Sequence, residues 1–404
     1  MRFIQCLLAG IFYTGFVLGQ APARPFPQHT VYYPGVIKPS HISQQRMDDS
    51  VRSFYTAWKE RYVNDDCGPG QYYIWYELPG KQCVSEGQGY GMIIVAMMAG
   101  FDTAAKTTYD GLFRYYKAHP SRKSPYLMAW AQTKNCRDLD RGSATDGDMD
   151  IAWSLLLADR QWGSAGAINY REEARGMISA ILQQEVNRQT FSVLLGNDIE
   201  ADSKDYFDMR SSDFMPAHFK SFAKAGDDTS WNRVVDASYR LFHRMQADFS
   251  PDAGLVPDFI QHVNKKPVPA RAHYLESKYD GAYNYNACRV PWRVATDFIL
   301  YGDGRSKSMV EKINRWVRGT TKDIPDNISA GYSLGGNDLP RRYFEAGSFI
   351  ASFAVSAMVS GDNQAWLNSL WDYTVSFDLD QFDYYDNSIK MIGLLLLSGN
   401  YWGP

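Results

Sequence analysis

Cysteine and histidine are scarce in this chain, with five Cys and seven His among 404 residues. No Cys-x-x-Cys and no His-x-x-x-His spacing occurs, so the common zinc-binding signatures are missing and no metal or other cofactor is expected. An excess of one charge sign is lacking too. Lys and Arg number 42 against 45 Asp and Glu, a net of -3, which leaves no electrostatic footprint for nucleic acid. After the N-terminus no apolar run approaches the length that crosses a bilayer, so no membrane anchor is expected.

The N-terminus itself reads "MRFIQCLLAGIFYTGFVLGQAPARP". Arg2 gives a positive end, Ile4 to Val17 form a short apolar run, and Leu18-Gly19-Gln20-Ala21 offers small residues for cleavage. This pattern predicts a signal peptide over residues 1–20 and a secreted, extracellular protein. Cys6 would leave with it. Cys67, Cys83, Cys136 and Cys288 remain, an even number suited to an oxidising compartment. Cys67 and Cys83 bracket a loop rich in Gly, Pro and Tyr and are the expected pair, with Cys136–Cys288 as the second possible bond. Asn327-Ile328-Ser329 is a glycosylation sequon.

What the chain has in quantity is aromatic residues, 15% of the total. Large cores use them, and so do carbohydrate clefts, where sugar faces stack on rings. Residues 21–44 are rich in Pro and lack helical period, which reads as a leader or wrapping segment. From residue 45 onward the pattern predicts helices near 46–62, 85–99, 103–118, 147–160, 168–185, 212–225, 228–246, 286–301, 307–319, 342–358, 362–375 and 384–398. Short strands are allowed around "GQYYIWYELPG".

The helical segments alternate in character. "GMIIVAMMAG", "IAWSLLLA" and "GSFIASFAVSAMV" are apolar nearly all round, whereas "MDDSVRSFYTAWKERYV" and "DTSWNRVVDASYRLFHRM" are amphipathic. The first kind is buried on every side and the second faces water. Alternation therefore implies an inner ring inside an outer ring: an all-α (α/α)6 barrel of six helical hairpins in a single domain over 45–404. Inner helices would all point one way. Their starts, at Ser85-Glu86, Asp146, Ser212-Asp213, Asn286, Arg342 and Asp383, would gather at one face.

Two stretches carry candidate chemistry. In "KQCVSEGQGYGMIIVAMMAG" a lone carboxylate, Glu86, opens a helix that is otherwise apolar, with glycines that would leave room for a ligand. In "SATDGDMDIAWSLLLADRQW" Asp146, Asp148 and Asp150 recur at a spacing of two. An EF-hand needs Gly at the sixth position and Glu at the twelfth, and Ile151 and Leu157 stand there instead. A metal-diphosphate cluster needs a second acidic motif, and none is evident. A helix cap with one or more carboxylates holding sugar hydroxyls remains.

These stretches, with "YNACRVPWRVATDF", resemble three landmarks of glycoside hydrolase family 8, in the expected order and over roughly residues 50–400. The resemblance implies an (α/α)6 barrel and inverting hydrolysis of β-1,4-linked glycans. Inversion needs two carboxyl groups roughly 6.5–9.5 Å apart, one to protonate the leaving oxygen and one to activate water. Glu86 matches the family's general acid, and its apolar helix would help it keep a proton. Cellulase-like members carry an Asp base where this chain has Asn286, and an amide cannot take the proton. A branch including chitosanases and licheninases has Asn there and a Glu in the loop before it. That implies Glu276 as general base, with Asp280 its rival. Asp146 matches the sugar-binding carboxylate at the cleavage point. Asn286, Arg289 and Asp148 are expected to bind substrate, and Trp130 and Tyr90 to stack on it.

For the substrate polysaccharide, a polycationic chitosan calls for an acidic cleft. Asp138, Asp140, Asp146, Asp148 and Asp150 form one acidic group, and Asp198, Glu200, Asp202, Asp205 and Asp208 another. On this ground an endo-acting chitosanase is the expected activity, a licheninase or endo-β-1,4-glucanase on neutral β-glucan the alternative, and a barrel that binds carbohydrate without cleaving it the reading from another class. A monomer is expected.

Overall fold

The computed structural model describes residues 21–340 and 346–404. The expected signal peptide and Arg342 lie outside the described residues. Twelve α-helices are present among them: α1 Gln44–Tyr62, α2 Ser85–Met97, α3 Ala105–Ala118, α4 Thr145–Trp162, α5 Tyr170–Gln184, α6 Pro216–Gly226, α7 Ser230–Phe249, α8 Val290–Tyr301, α9 Gly304–Thr321, α10 Gly347–Ala357, α11 Gln364–Ser376 and α12 Tyr384–Leu397. Each predicted helix has its counterpart.

The even-numbered helices form a closed ring, each packed against the next, with α12 returning to α2. The odd-numbered helices lie outside, α3 on α2, α5 on α4 and so on, with α1 on α12. This is the (α/α)6 barrel. Its layering follows from side-chain character. In α10 every residue from Gly347 to Ala357 is buried. In α7 the buried Trp231, Val234, Val235, Ser238, Tyr239, Phe242 and Met245 fall on one stripe at spacings of three and four.

The Pro-rich N-terminal segment lies across the C-terminal ends of the inner helices. Phe26 N–H donates to Ala99 O, Tyr33 to Ile299 O, Ile37 to Met358 O and Thr30 to Gly399 O. The last carbonyls of a helix have no partner within it, so a segment without its own ladder can satisfy them. The segment thus lies on the face opposite the inner-helix N-termini.

Three small antiparallel sheets decorate that N-terminal face. Val63–Asn64 pairs with Tyr73–Ile74; Cys83–Val84 with Ala131–Gln132 and then Asp138–Asp140; and Met209–Arg210 with Phe259–Gln261 and then Val268–Pro269. The disulfide differs from expectation: Cys67 is joined to Cys136, with Cα atoms 5.6 Å apart. Cys136 sits in the turn between Ala131–Gln132 and Asp138–Asp140, and its N–H donates to the Gln82 side chain. That hairpin brings Cys136 beside Cys67. Cys83 instead lies inside a strand, buried and free, and Cys288 is buried and free at the head of α8. Asn327 is exposed in a 3-10 turn, its amide donating to Thr321 O.

The glycines flanking Glu86 serve packing rather than ligand space. A Cβ on Gly147 would stand 2.6 Å from Ser85 C and 2.7 Å from Glu86 N, and one on Gly89 would stand 2.6 Å from Asp150 Cβ. Helices α2 and α4 thus touch backbone to backbone at their first turns. Gly147→Ala is expected to push these turns apart and to lower stability by about 1–3 kcal/mol, read as a fall in the urea midpoint at constant m.

Candidate active site

A cleft of about 870 Å³ opens where the inner helices begin, and Glu86, Asp146, Arg210, Glu276, Asn286 and Arg289 all line it. The α2–α4 contact sets Glu86 and Asp146 side by side. Arg289, in the 3-10 turn Ala287–Arg289 ahead of α8, reaches both: Nη1 donates to Glu86 Oε2 at 2.5 Å and to Asp146 Oδ2 at 2.9 Å. Nη2 of the same guanidinium donates to Asn286 Oδ1 at 2.7 Å, and Asn286 Nδ2 donates to Glu276 Oε2 at 2.7 Å. Arg210 faces Asp146 and Glu276, at 3.6 Å from each. Tyr384 Oη donates to Glu86 Oε1 at 2.8 Å.

The two neighbouring carboxyls diverge electrostatically. Burial raises the Glu86 pKa and the adjacent Asp146 charge raises it further, against the opposing pull of Arg289. Burial acts on Asp146 in the same direction, but Arg210 and Arg289 together outweigh it and hold that carboxyl below the usual range. One guanidinium bonds both acids, and Arg210 acts more strongly on Asp146, with which it is paired, than on Glu86. Asp146 is therefore the carboxylate and Glu86 the group disposed to hold a proton, the divergence expected of a paired acid and anion.

The loop carrying Glu276 is built on two buried carboxylates. Asp280 accepts N–H bonds from Leu275, Glu276 and Ser277 at 2.7, 3.0 and 2.7 Å. It is enclosed and spent on folding the loop. Asp258 accepts from the N–H groups of Asn284, Asn286 and Ala287 at 3.0, 3.1 and 2.7 Å. Burial pushes its pKa up to about 7. Glu276 remains the open group, its side chain 46% exposed.

The other expected residues separate. Trp130 lines the cleft, joined on its wall by Tyr76, Tyr285, Tyr384 and Tyr385. Tyr90 does not stack: it is fully buried beneath the floor and takes a 3.2 Å bond from Arg289. Asp148 likewise points away from the cleft. It accepts from Met128 N–H at 2.8 Å and faces Glu185, a buried carboxyl that accepts from Ser143. Asp148 Oδ2 and Glu185 Oε2 are buried without a hydrogen-bond partner, and burial together with the neighbouring Glu185 charge raises the Asp148 pKa. Asp150 forms a buried pair with Arg293, through a 2.6 Å bond and a second shorter one, and meets His218 at 3.0 Å. A helix that is buried all round sends its acids inward in three directions, which a spacing of two in sequence does not disclose.

Arg210 and Tyr384 were missed by sequence reasoning. Arg210 comes from the strand Met209–Arg210 and has no local motif. Tyr384 is the first residue of α12, and its place at an inner-helix start was the one available signal. The acidic loops also fall elsewhere: Asp198 and Glu200 face Lys123, Asp138 meets His119, and Asp208 accepts from Gln261, all outside the cleft lining. No helix among the described residues is long and apolar enough to cross a membrane.

Known proteins share this fold and much of this sequence. The model of the family described as "Glycosyl hydrolases family 8" matches residues 52–399. A β-glucanase of Niallia circulans is 42% identical over 99% of this chain and 96% of its own. An endoglucanase of Bacillus sp. (strain KSM-330) is 38% identical over 94% of this chain and 82% of its own. The solved apo structure of a β-1,3-1,4-glucanase from Paenibacillus sp. X4 superposes with a TM-score of 0.91 at 42% identity, covering 95% of this chain and 100% of that one.

The Asp148–Glu185 pair generates a pH-dependent stability. Burial raises Glu185 to about 7, so the folded protein holds protons that the unfolded chain has released, and stability falls as pH rises from about 4.5 toward 7. Glu185→Gln keeps the acceptor for Ser143 and removes the titration. Its melting temperature relative to the parent is expected to climb between pH 5 and pH 8, by up to a few kcal/mol in stability.

Proposed function

The chain belongs to glycosyl hydrolases family 8, and from that premise we propose that it is a secreted, endo-acting, inverting β-glucanase whose substrate is a neutral mixed-linkage or β-1,4-linked glucan. The observation that carries this reading is the polar chain Glu86–Arg289–Asn286–Glu276 across the cleft floor. It keeps the two carboxyls out of contact, as an enzyme that seats a water between base and sugar requires.

In this reading the glucan lies in the cleft with its scissile oxygen at Glu86. Asp146, held ionised by Arg210 and Arg289, accepts hydroxyl hydrogen bonds from the sugar at the cleavage point. Glu86 gives its proton to the leaving oxygen as the C–O bond breaks. Glu276 takes a proton from a water that attacks the anomeric carbon from the opposite face. Asn286 and Arg210 fix the Glu276 carboxylate, and its exposure lets it return the proton to solvent. The catalytic unit is residues 45–404, with 21–44 as its wrapping segment.

The charge argument for chitosan loses most of its support, since of the acids in those two runs only Asp146 lines the cleft. The relatives' names speak for glucan as well.

Glu86→Gln and Glu276→Gln are each expected to lower kcat by at least about 10²-fold, with the circular dichroism of the parent. Proton NMR of the first product should show the α-anomer. Reducing-end release should be greatest on mixed-linkage glucan in a panel with chitosan, carboxymethyl cellulose and xylan. A Glu276→Gln protein with full activity refutes the base assignment. A parent that binds oligosaccharide and releases no reducing ends refutes the enzyme.

Tyr384→Phe gives an independent check on Glu86. The tyrosine hydrogen bond favours the carboxylate and lowers the Glu86 pKa. Activity requires protonated Glu86 and is lost as pH rises through that pKa. Removing the bond should therefore move the alkaline limb of kcat/KM to higher pH.

A further inference from the structure

We propose that Lys81 is a specificity-determining residue, whose ammonium in the stacking wall of the cleft admits sugars bearing hydroxyls and rejects sugars bearing ammonium groups. The proposal rests on the β-glucan reading of the site. Lys81, Tyr76 and Trp130 all line the cleft, and Lys81 Nζ stands 4.9 Å from the ring centroid of each aromatic. The other lining cations are neutralised: Arg61 by Glu77 and Asp380, Arg210 by Asp146 and Glu276, Arg289 by Glu86 and Asp146. Among the described residues Lys81 has no carboxylate partner and meets only the two rings.

The wall holding that charge is fixed relative to the general acid. Ser85 N–H donates to Trp130 O at 2.9 Å, Gln82 N–H to Gln132 O at 2.8 Å and Tyr76 N–H to Gln82 O at 2.7 Å. The Cys67–Cys136 bond ties the same two loops together. The Tyr76 ring packs on Tyr384, which donates to Glu86. A sugar stacked on this wall next to the scissile bond thus brings its ring substituents near Nζ. A lysine ammonium only donates. A sugar hydroxyl can accept from it, whereas a protonated amine cannot accept and repels it. Such a charge discriminates by penalising the wrong ligand rather than by adding contacts to the right one.

The test uses the Glu86→Gln protein, in which cleavage is slowed, and calorimetric titration with a glucosamine hexamer and a cellohexaose. Adding Lys81→Met, or Lys81→Gln if the first fails to fold, should tighten the glucosamine hexamer relative to cellohexaose by about tenfold at a pH where the amines are charged. That gain should shrink in about 1 M salt, where the Debye length is roughly 3 Å, and be absent for the N-acetylated hexamer. An unchanged ratio overturns the proposal, as does an equal gain with the N-acetylated ligand. Hydrolysis by the parent enzyme separates the two levels. A parent that prefers chitosan overturns the glucan reading and Lys81 with it, whereas a parent that prefers glucan with an unchanged ratio overturns Lys81 alone.

Discussion

One guanidinium stands between two carboxyls, and the site depends on that shortage of positive charge. Arg289 is buried and bonded to Glu86, Asp146 and Asn286 at once. A dedicated partner for each acid would favour the ionised form of both, and the proposed general acid would lose its proton. The sharing, with Arg210 added on the Asp146 side, splits two adjacent acids into an anion and a group that tends to keep its proton. Removing Arg289 would leave buried carboxylate charge unpaired, a cost of several kcal/mol. The same residue thus serves stability and chemistry.

The scaffold supports this arrangement from both sides. Gly89 and Gly147 bring the first turns of α2 and α4 into backbone contact, which fixes the spacing of Glu86 and Asp146. Asp258 gathers three N–H groups at the head of α8 and sets the direction of Asn286 and Arg289. One turn deeper, the Asp150–Arg293 pair and His218 lock α4, α6 and α8 together. His218 is stacked on Trp153, and burial lowers its pKa to about 4, so it stays neutral there at physiological pH. Layers of buried polar pairs beneath the site hold its residues in place.

The barrel was legible because helix character is a local property. An apolar surface all round means burial wherever the helix sits, so alternation alone separates the inner ring from the outer. Glu86 was legible for a similar reason, since one carboxylate in a buried helix demands a role. What the sequence hid depends on loops. Cys136 meets Cys67 only because a hairpin turns it there, and Arg210 reaches the site from a two-residue strand. Asp148 shows the converse difficulty. It shares a motif and a helix with Asp146, yet a rotation of roughly 200° along the helix sends it into the core.

The same distinction between sequence proximity and spatial placement governs the substrate. Charge counted along the chain suggested a polycation, because two acidic runs lie near barrel-mouth motifs. Charge counted on the cleft wall reads differently. Asp198 and Glu200 share Lys123, and Asp138 meets His119 away from the cleft lining, where their fields are screened beyond roughly 10 Å. Inside the cleft Arg61, Arg210 and Arg289 are each paired with carboxylates, and Lys81 places a positive charge among the rings. A polymer that carries a charge on every residue would meet that wall at each stacked sugar. A neutral glucan would meet hydrogen-bond donors and aromatic faces. On the proposed reading, the charge placed at the stacking wall, rather than charge counted along the sequence, sets the preference for the neutral chain.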